Sequence, residues 1–291
     1  MLRAAAPEEG GAFDIPGMIL HHLADAHEWE SPFGVVHLPT WEPVQIGPLS
    51  VDFSITKHVL FMLFAAVLVI IFMLAAARQA RKRHAEGAVR GPRGAANALE
   101  AMVLYIRDEI ALKNIGHGGE RFVSYIVAVF FFILFCNLLG LLPWGASPTG
   151  NVNVTAALAM VTFVTVEVAG MSALGFRGYM KTIFYAPEGM HWGMKIPMLA
   201  IMTPVEFLGK LTKPFALAIR LYANMTAGHA VVLALTGLLV LASMANAFWV
   251  TPAPLLMAVA IMILEIFVAF LQAYIFAMLS AVFIGLIRHA H

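Results

Sequence analysis

Residues 204–232 read PVEFLGKLTKPFALAIRLYANMTAGHAVV, and they carry a permanent cation, Arg220, into an apolar helical run that continues to about Ala245. An arginine does not shed its proton to escape an apolar medium, so its insertion at membrane depth costs at least about 2.5–3.5 kcal/mol and calls for a partner or a water-filled cavity. The run from Pro204 to Ala245 has 42 residues. As one helix it measures about 63 Å, twice the hydrocarbon thickness of about 30 Å, so it is expected to lie steeply tilted or to bend, with Pro214 the place for a bend.

The rest of the chain agrees with a membrane setting. Of 291 residues, 61% are hydrophobic and 12% charged, and mean hydropathy is +0.84, too apolar for a soluble domain of this length. The net charge of +1 carries no nucleic-acid signal, and one cysteine, Cys136, leaves no disulfide framework within the chain.

Residues 1–57 hold the acids Glu8, Glu9, Asp14, Asp25, Glu28, Glu30, Glu42 and Asp52 against Arg3 and Lys57. No basic segment followed by an apolar core opens the chain, so no cleaved signal peptide is expected. Residues 59–77 form a first apolar span. Arg78, Arg81, Lys82, Arg83, Arg90 and Arg93 follow at once, the kind of cluster that stays cytoplasmic, which puts the polar 1–57 segment outside.

Residues 95–113 place Leu99, Met102, Val103, Ile106 and Ile110 at helical spacing with Glu100, Arg107 and Asp108 between them, an amphipathic helix expected on the inner membrane face. Residues 122–144 and 153–176 are the second and third spans, the latter burying Glu167. The loop after them carries Arg177, Lys181, Lys195, Lys210 and Lys213, again on the inside, while 145–151 and 246–254 carry no charge and suit the outside. The fourth and fifth spans are 204–245 and 251–287. Glu265 is the only charge in the last, whose 37 residues make a helix of about 55 Å. The fold class is therefore an all-α polytopic membrane protein, residues 58–291. It has about five membrane helices and one amphipathic inner-surface helix, the last two spans being long and strongly tilted, and the C-terminus cytoplasmic.

At 100° per residue, Glu206, Lys213 and Arg220 fall within about 40° of one another, and Asn224 lies one turn past Arg220 on much the same face. His229 is about half a turn round from Arg220 and about 13 Å further along; Glu265 and Gln272 share a face of the last helix. Two polar regions divided by an arginine are expected.

Two other functional classes place different demands on the sequence. A stand-alone proton-coupled transporter is expected to show an internal repeat, and none is visible. A membrane metalloenzyme needs ligands together; His21, His22 and His27 lie in a short polar segment with no further cluster, so a surface helix turn and no metal are expected there. No GxxxxGK[ST] phosphate loop is present, so nucleotide hydrolysis by this chain is not expected.

LTKPFALAIRLYANMTAGHA at 211–230, LEIFVAFLQAYIF at 264–276, HHL at 21–23, NLLGLLP at 137–143 and NVNVT at 151–155 together resemble subunit a of the F-type ATP synthase, the stator half of its proton channel. The resemblance implies a membrane subunit that is not itself catalytic and needs no cofactor. It implies as partners a rotor ring of subunit c, the peripheral-stalk subunit b, the soluble ATPase sector indirectly, and lipid, with no nucleic acid. The location implied is a bacterial inner membrane.

The family's functional arginine corresponds to Arg220, its neighbouring amide to Asn224 and its last-helix glutamine to Gln272; Glu206 falls on the cytoplasmic half-channel side. Many members put a carboxylate at 229 and a histidine at 265. Here His229 and Glu265 are exchanged, as in the mitochondrial-type version, which implies one shared pocket. The resemblance makes Arg220 the separator of two half-channels and the guanidinium that drives the rotor carboxylate to give up its proton. His229 and Glu265 would relay protons from outside, with Asn224 and Gln272 holding water, and Glu206 would pass them to the cytoplasm. Glu167 matches no family motif and is expected to be a neutral, hydrogen-bonded structural acid, kept as a further proton-path candidate. Asn137, Asn151 and Asn153 are expected to cap or join helices.

Overall fold

The computed structural model describes residues 14–31, 34–46, 49–52, 54–86, 95–142, 144–184, 192–245, 249 and 251–289. The basic residues Arg90 and Arg93 lie outside them. Five helices are long and apolar enough to cross a membrane, over Lys57–Arg78, Glu120–Gly140, Val152–Ile183, Lys195–Met244 and Pro252–Arg288. The protein is an all-α polytopic membrane protein, and lipid explains why large apolar side chains such as Phe267 and Ile201 stand 62% and 67% exposed. A spanning segment must satisfy its backbone internally, which helices do.

The chain opens with α1 (Ile15–Leu23). Asp14 caps it by accepting from Gly17 N at 3.0 Å, and Pro16 sits in the first turn, where no intrahelical N–H is needed. Two short antiparallel hairpins follow, β1 (Glu28–Ser31) with β2 (Gly34–His37) and β3 (Val44–Ile46) with β4 (Leu49–Val51). Neither was expected from sequence. Strands of three and four residues give too short an alternation to stand out from a polar segment.

Helix α2 (Lys57–Glu86) is followed by α3 (Ala95–Tyr105), which continues through a π-helical stretch, Ile106–Leu112, into α4 (Lys113–Ile115). Along this element Ile106, Ile110, Ala111 and Ile115 are buried while Arg107 and Asp108 are exposed, the amphipathic pattern its spacing implies. Asn114 Nδ2 donates to the Ile110 carbonyl at 2.7 Å at the end of the π stretch.

Helices α5 (Glu120–Gly140), α6 (Val152–Ile183), α7 (Trp192–Met244) and α8 (Pro252–Arg288) complete the chain. Helix α6 is kinked at Gly175, whose φ of 69° and ψ of 164° leave the helical region and would strain any residue with a side chain. Helix α7 runs 53 residues across Pro197, Pro204 and Pro214. The helix continues through Pro214, the place where a bend is expected, without a break. The expected basic loop is corrected: Arg177 and Lys181 belong to α6, and Lys195, Lys210 and Lys213 to α7. Glu206, Lys210 and Lys213 sit at i, i+4 and i+7, a helical polar stripe that reads as loop when only charge is counted.

The chain divides into two compact units, one of Met1–Ile70, Phe132–Asn151 and Leu221–Gln272, the other of Ile71–Phe131, Val152–Arg220 and Ala273–His291. In the first, Asn137 is fully buried; it donates to the Ala269 carbonyl at 3.3 Å and accepts from Thr149 Oγ1 at 2.7 Å. A buried amide so satisfied ties the end of α5 to the middle of α8 and to the turn at Thr149.

In the second unit, Ala273, Ala277 and Ala281 are buried at four-residue spacing on α8, a small-residue ridge that lets helices approach closely. Gly170 of α6 extends the same logic: a β-carbon there would lie 2.7 Å from Ile287 and 3.3 Å from Tyr179.

Candidate functional site

Each unit holds its own polar cavity. That of the first unit encloses about 190 Å³ and is lined by His22, His58, His229 and Glu265, with Ser147 and Thr236 among its hydroxyls. Four distant segments supply the titratable groups: α1, the start of α2, the middle of α7 and the first half of α8.

Glu265 is 6% exposed although its neighbours Leu264 and Phe267 stand 56% and 62% exposed, so its carboxylate points to the buried side. Gly228 makes room for it, since a β-carbon at 228 would collide with that carboxylate. Gly140 does the same for His229: a β-carbon there would lie 2.9 Å from the imidazole Nε2. His229 and Glu265 thus line one cavity.

Deeper along the same pair of helices, Asn224 Nδ2 donates to Gln272 Oε1 at 3.0 Å. Gln272 is buried and Asn224 exposed.

The N-terminal segment closes the cavity. Buried Lys57 donates from Nζ to the His22 carbonyl at 2.9 Å, tying the end of α1 to the start of α2. Burial, reinforced by the Lys57 charge, pushes the His22 imidazole down to about 4, so it is neutral near pH 7. His58 Nδ1 sits 2.8 Å from Asp25 Oδ1, close in distance although the ring N–H has no directed hydrogen-bond partner. Burial alone would raise Asp25, but His58 and Thr56 more than offset it and hold the carboxyl below the usual range.

Sequence reasoning missed His22 and His58 as cavity residues. The surface helix turn expected within 19–27 is the end of α1, and only the HHL of the resemblance pointed to a role for it.

The second unit's cavity encloses about 240 Å³ and is lined by Glu167, Glu206, Lys210 and Lys213, with Thr162 and Thr182. Glu167 has a partner on α7: its Oε2 lies 3.7 Å from Lys210 Nζ, with side chains 14% and 11% exposed. Lys210 Nζ also donates to the Tyr179 hydroxyl at 3.2 Å and lies 4.3 Å from the Tyr179 ring centroid. Lys213 Nζ lies 5.3 Å from the Phe283 ring centroid. Glu206 is on the exposed side of α7 and borders the cavity.

Arg220 is exposed and lines neither cavity, and it has no ion-pair partner among the described residues. No group of three or more histidine, cysteine, aspartate or glutamate side chains among those residues is placed to hold a metal ion. The chemistry on offer is therefore proton uptake and release by carboxylates and imidazoles in water-sized cavities, and an unpaired guanidinium open to a partner's charge.

The family profile described as "ATP synthase A chain" matches residues 59–285. The chain is 46% identical over 286 residues to "ATP synthase subunit a 2" of Chlorobaculum tepidum, covering 97% of this chain and 76% of the relative. It is 43% identical over 268 residues to "ATP synthase subunit a" of Chloroherpeton thalassium, covering 92% and 75%. It is 40% identical over 318 residues to "ATP synthase subunit a" of an Anaeromyxobacter species, covering 99% and 75%. On the profile match over most of its length and on these identities, the chain belongs to the ATP synthase A chain family.

Proposed function

We propose that this chain is the proton-translocating stator subunit of an F-type ATP synthase membrane sector. In this reading protons enter through the first unit's cavity, by His229 and Glu265 with Asn224 and Gln272 holding water, and reach the cytoplasm past Glu206. Arg220 lies on the exposed surface where a rotor carboxylate passes. The guanidinium favours the ionised acid, so the carboxylate releases its proton on approach, and the same fixed charge bars protons from crossing directly. The chain supplies no nucleotide chemistry. Its partners are the ring of subunit c, the peripheral-stalk subunit b and, through them, the soluble ATPase. The N-terminal segment faces outward from a bacterial inner membrane and the C-terminus faces the cytoplasm.

The observation that carries this reading is Arg220 itself. A permanent cation in an apolar helix, exposed and unpaired among the described residues, is unfavourable in lipid and calls for an anion from outside the chain. The test is oxidative crosslinking of a cysteine placed beside Arg220 to one beside the rotor carboxylate. A crosslinked product that stops ATP-driven pumping is expected, and its absence at every neighbouring position overturns the assignment.

Replacing Arg220 by lysine is expected to abolish ATP-driven acidification of inverted vesicles, a loss of about 100-fold or more, while the complex still assembles. A compact ammonium that can lose its proton does not replace a planar, permanently charged guanidinium. Normal acidification by that variant would remove Arg220 from the mechanism.

A further inference from the structure

The second unit's cavity holds two carboxylates and two ammonium groups, and the proposed path uses only Glu206. Glu167 and Lys210 face each other across 3.7 Å, and Tyr179 holds Lys210 from the other side at 3.2 Å. Three features of the chain build this cluster. The kink at Gly175 redirects the last two turns of α6, which carry Tyr179. Gly170 lets Tyr179 and Ile287 close in. The four-residue step from Glu206 to Lys210 puts the ammonium one turn from the path's own acid.

Such a cluster is an expensive way to stabilise a membrane helix pair, because partly buried charges lose hydration and an apolar pair of similar size serves as well. A role for the charge itself accounts for it. With all four groups ionised the cavity carries no net charge, and a proton passing Glu206 meets neither a positive barrier nor a negative trap.

We propose that Glu167 and Lys210 form an electrostatic counterweight: positioning residues that keep the cytoplasm-facing cavity electrically neutral and thereby set the pH at which Glu206 exchanges protons. The inference rests on the reading of this cavity as part of the proton path.

The charged and titratable groups lining the cavity are few. Helix α6 presents Glu167; α7 presents Glu206, Lys210 and Lys213; α8 presents only Phe283, Leu286 and Ile287. Tyr179 bonds Lys210. Arg177 and Lys181 are exposed and off the cavity lining.

The consequences are signed. In Glu167→Gln two ammonium groups face one carboxylate, the excess positive charge disfavours proton uptake, and a more acidic bath is needed. In Lys210→Met the excess is negative and the shift reverses. At separations of one to two helix turns, each shift is about one pH unit after screening by cavity water.

The experiment measures ATP-driven pumping per ATP hydrolysed in inverted vesicles of the whole complex, whose cytoplasmic face meets the bath, against bath pH. The expected result is a midpoint about one unit lower for Glu167→Gln, about one unit higher for Lys210→Met, and within a few tenths of the parent for the double variant. Midpoints that move the same way, or not at all, overturn the proposal, because a merely structural pair lowers the amplitude without opposite shifts.

If a single variant fails to assemble, the neutral double variant must restore both assembly and midpoint, and its failure counts against the counterweight equally. Glu206→Gln separates the two levels. A parent-like profile for that variant removes the cavity from the path and the counterweight with it; an impaired Glu206→Gln beside unshifted Glu167 and Lys210 variants sinks the counterweight alone.

Discussion

The two cavities are built on opposite principles. In the first unit the titratable groups, His22, His58, His229 and Glu265, come from four segments far apart in the chain. In the second, three of four charged groups stand on one helix at i, i+4 and i+7, and the fourth is paired with one of them. The first has carboxylate and imidazoles without a fixed cation in contact with Glu265. The second has its charges matched. Groups that must take up and release protons suit the first arrangement, since a tight ion pair holds one protonation state; a cavity that must stay electrically flat suits the second.

Between the two cavities, the larger expected effect lies in the first. Replacing His229 by glutamate puts two carboxylates in one pocket, where like charges hold one of them protonated. A loss of pumping of about 10-fold or more is expected, corresponding to about 1.4 kcal/mol in the barrier. Adding Glu265→His to it is expected to recover part of the rate, since the acid and the base are then both present in exchanged places. The measure is a double-mutant cycle on pumping rate, and the coupling should exceed the few tenths of a kcal/mol found between independent sites. Strict additivity would mean that sharing a cavity does not make the two residues act together.

A smaller effect compares the same substitution in both units of α7. A β-carbon at Gly228 collides with the Glu265 carboxylate, whereas nothing lies within 4 Å of one at Gly209. Gly228→Ala is expected to slow pumping several-fold. Gly209→Ala is expected to leave the rate unchanged and to gain about 0.5–1 kcal/mol of helix stability. Equal rates for the two variants would show that Glu265 has freedom to move which the packing around Gly228 denies it.

The same contrast explains what could be read from sequence. Apolar runs of twenty residues and more announce membrane helices because lipid leaves the backbone no other solution, so the helical class and the number of spanning helices were legible. The stripe of Glu206 and Lys213 was legible because helical spacing is a local property. Lys210 was read as loop, and its pairing with Glu167 was invisible: the partners are 43 positions apart (210 − 167) and meet only through the packing of α6 on α7. His22 and His58 escaped for the same reason, since nothing near either residue says that α1 folds against the start of α2. The hairpins at 28–37 and 44–51 were too short to show an alternation.

The smallest expected effect is a pH dependence confined to α1. Burial, then the nearby Lys57 charge, lowers His22 to about 4, against an ordinary value of 6.5. Glu30 opposes this but does not win. A histidine whose packed form resists the proton is protonated first in the detached segment. The packing of α1 is therefore fully stable above pH 6.5 and weakens as the pH falls from 6.5 toward 4. His22 is only half-buried, so water screens part of the effect. Amide hydrogen exchange over Ile15–Leu23 in the intact complex, corrected for intrinsic rates, is expected to speed up several-fold between pH 7.5 and pH 5. The same segment in His22→Gln should show no such change. Faster exchange in both proteins would trace the sensitivity to Asp25 and His58 instead. Slower exchange at low pH would mean that pairing with Glu30 outweighs burial and that His22 carries its proton while packed. In that case the first cavity would hold a fixed positive charge after all, and its difference from the second would be one of degree.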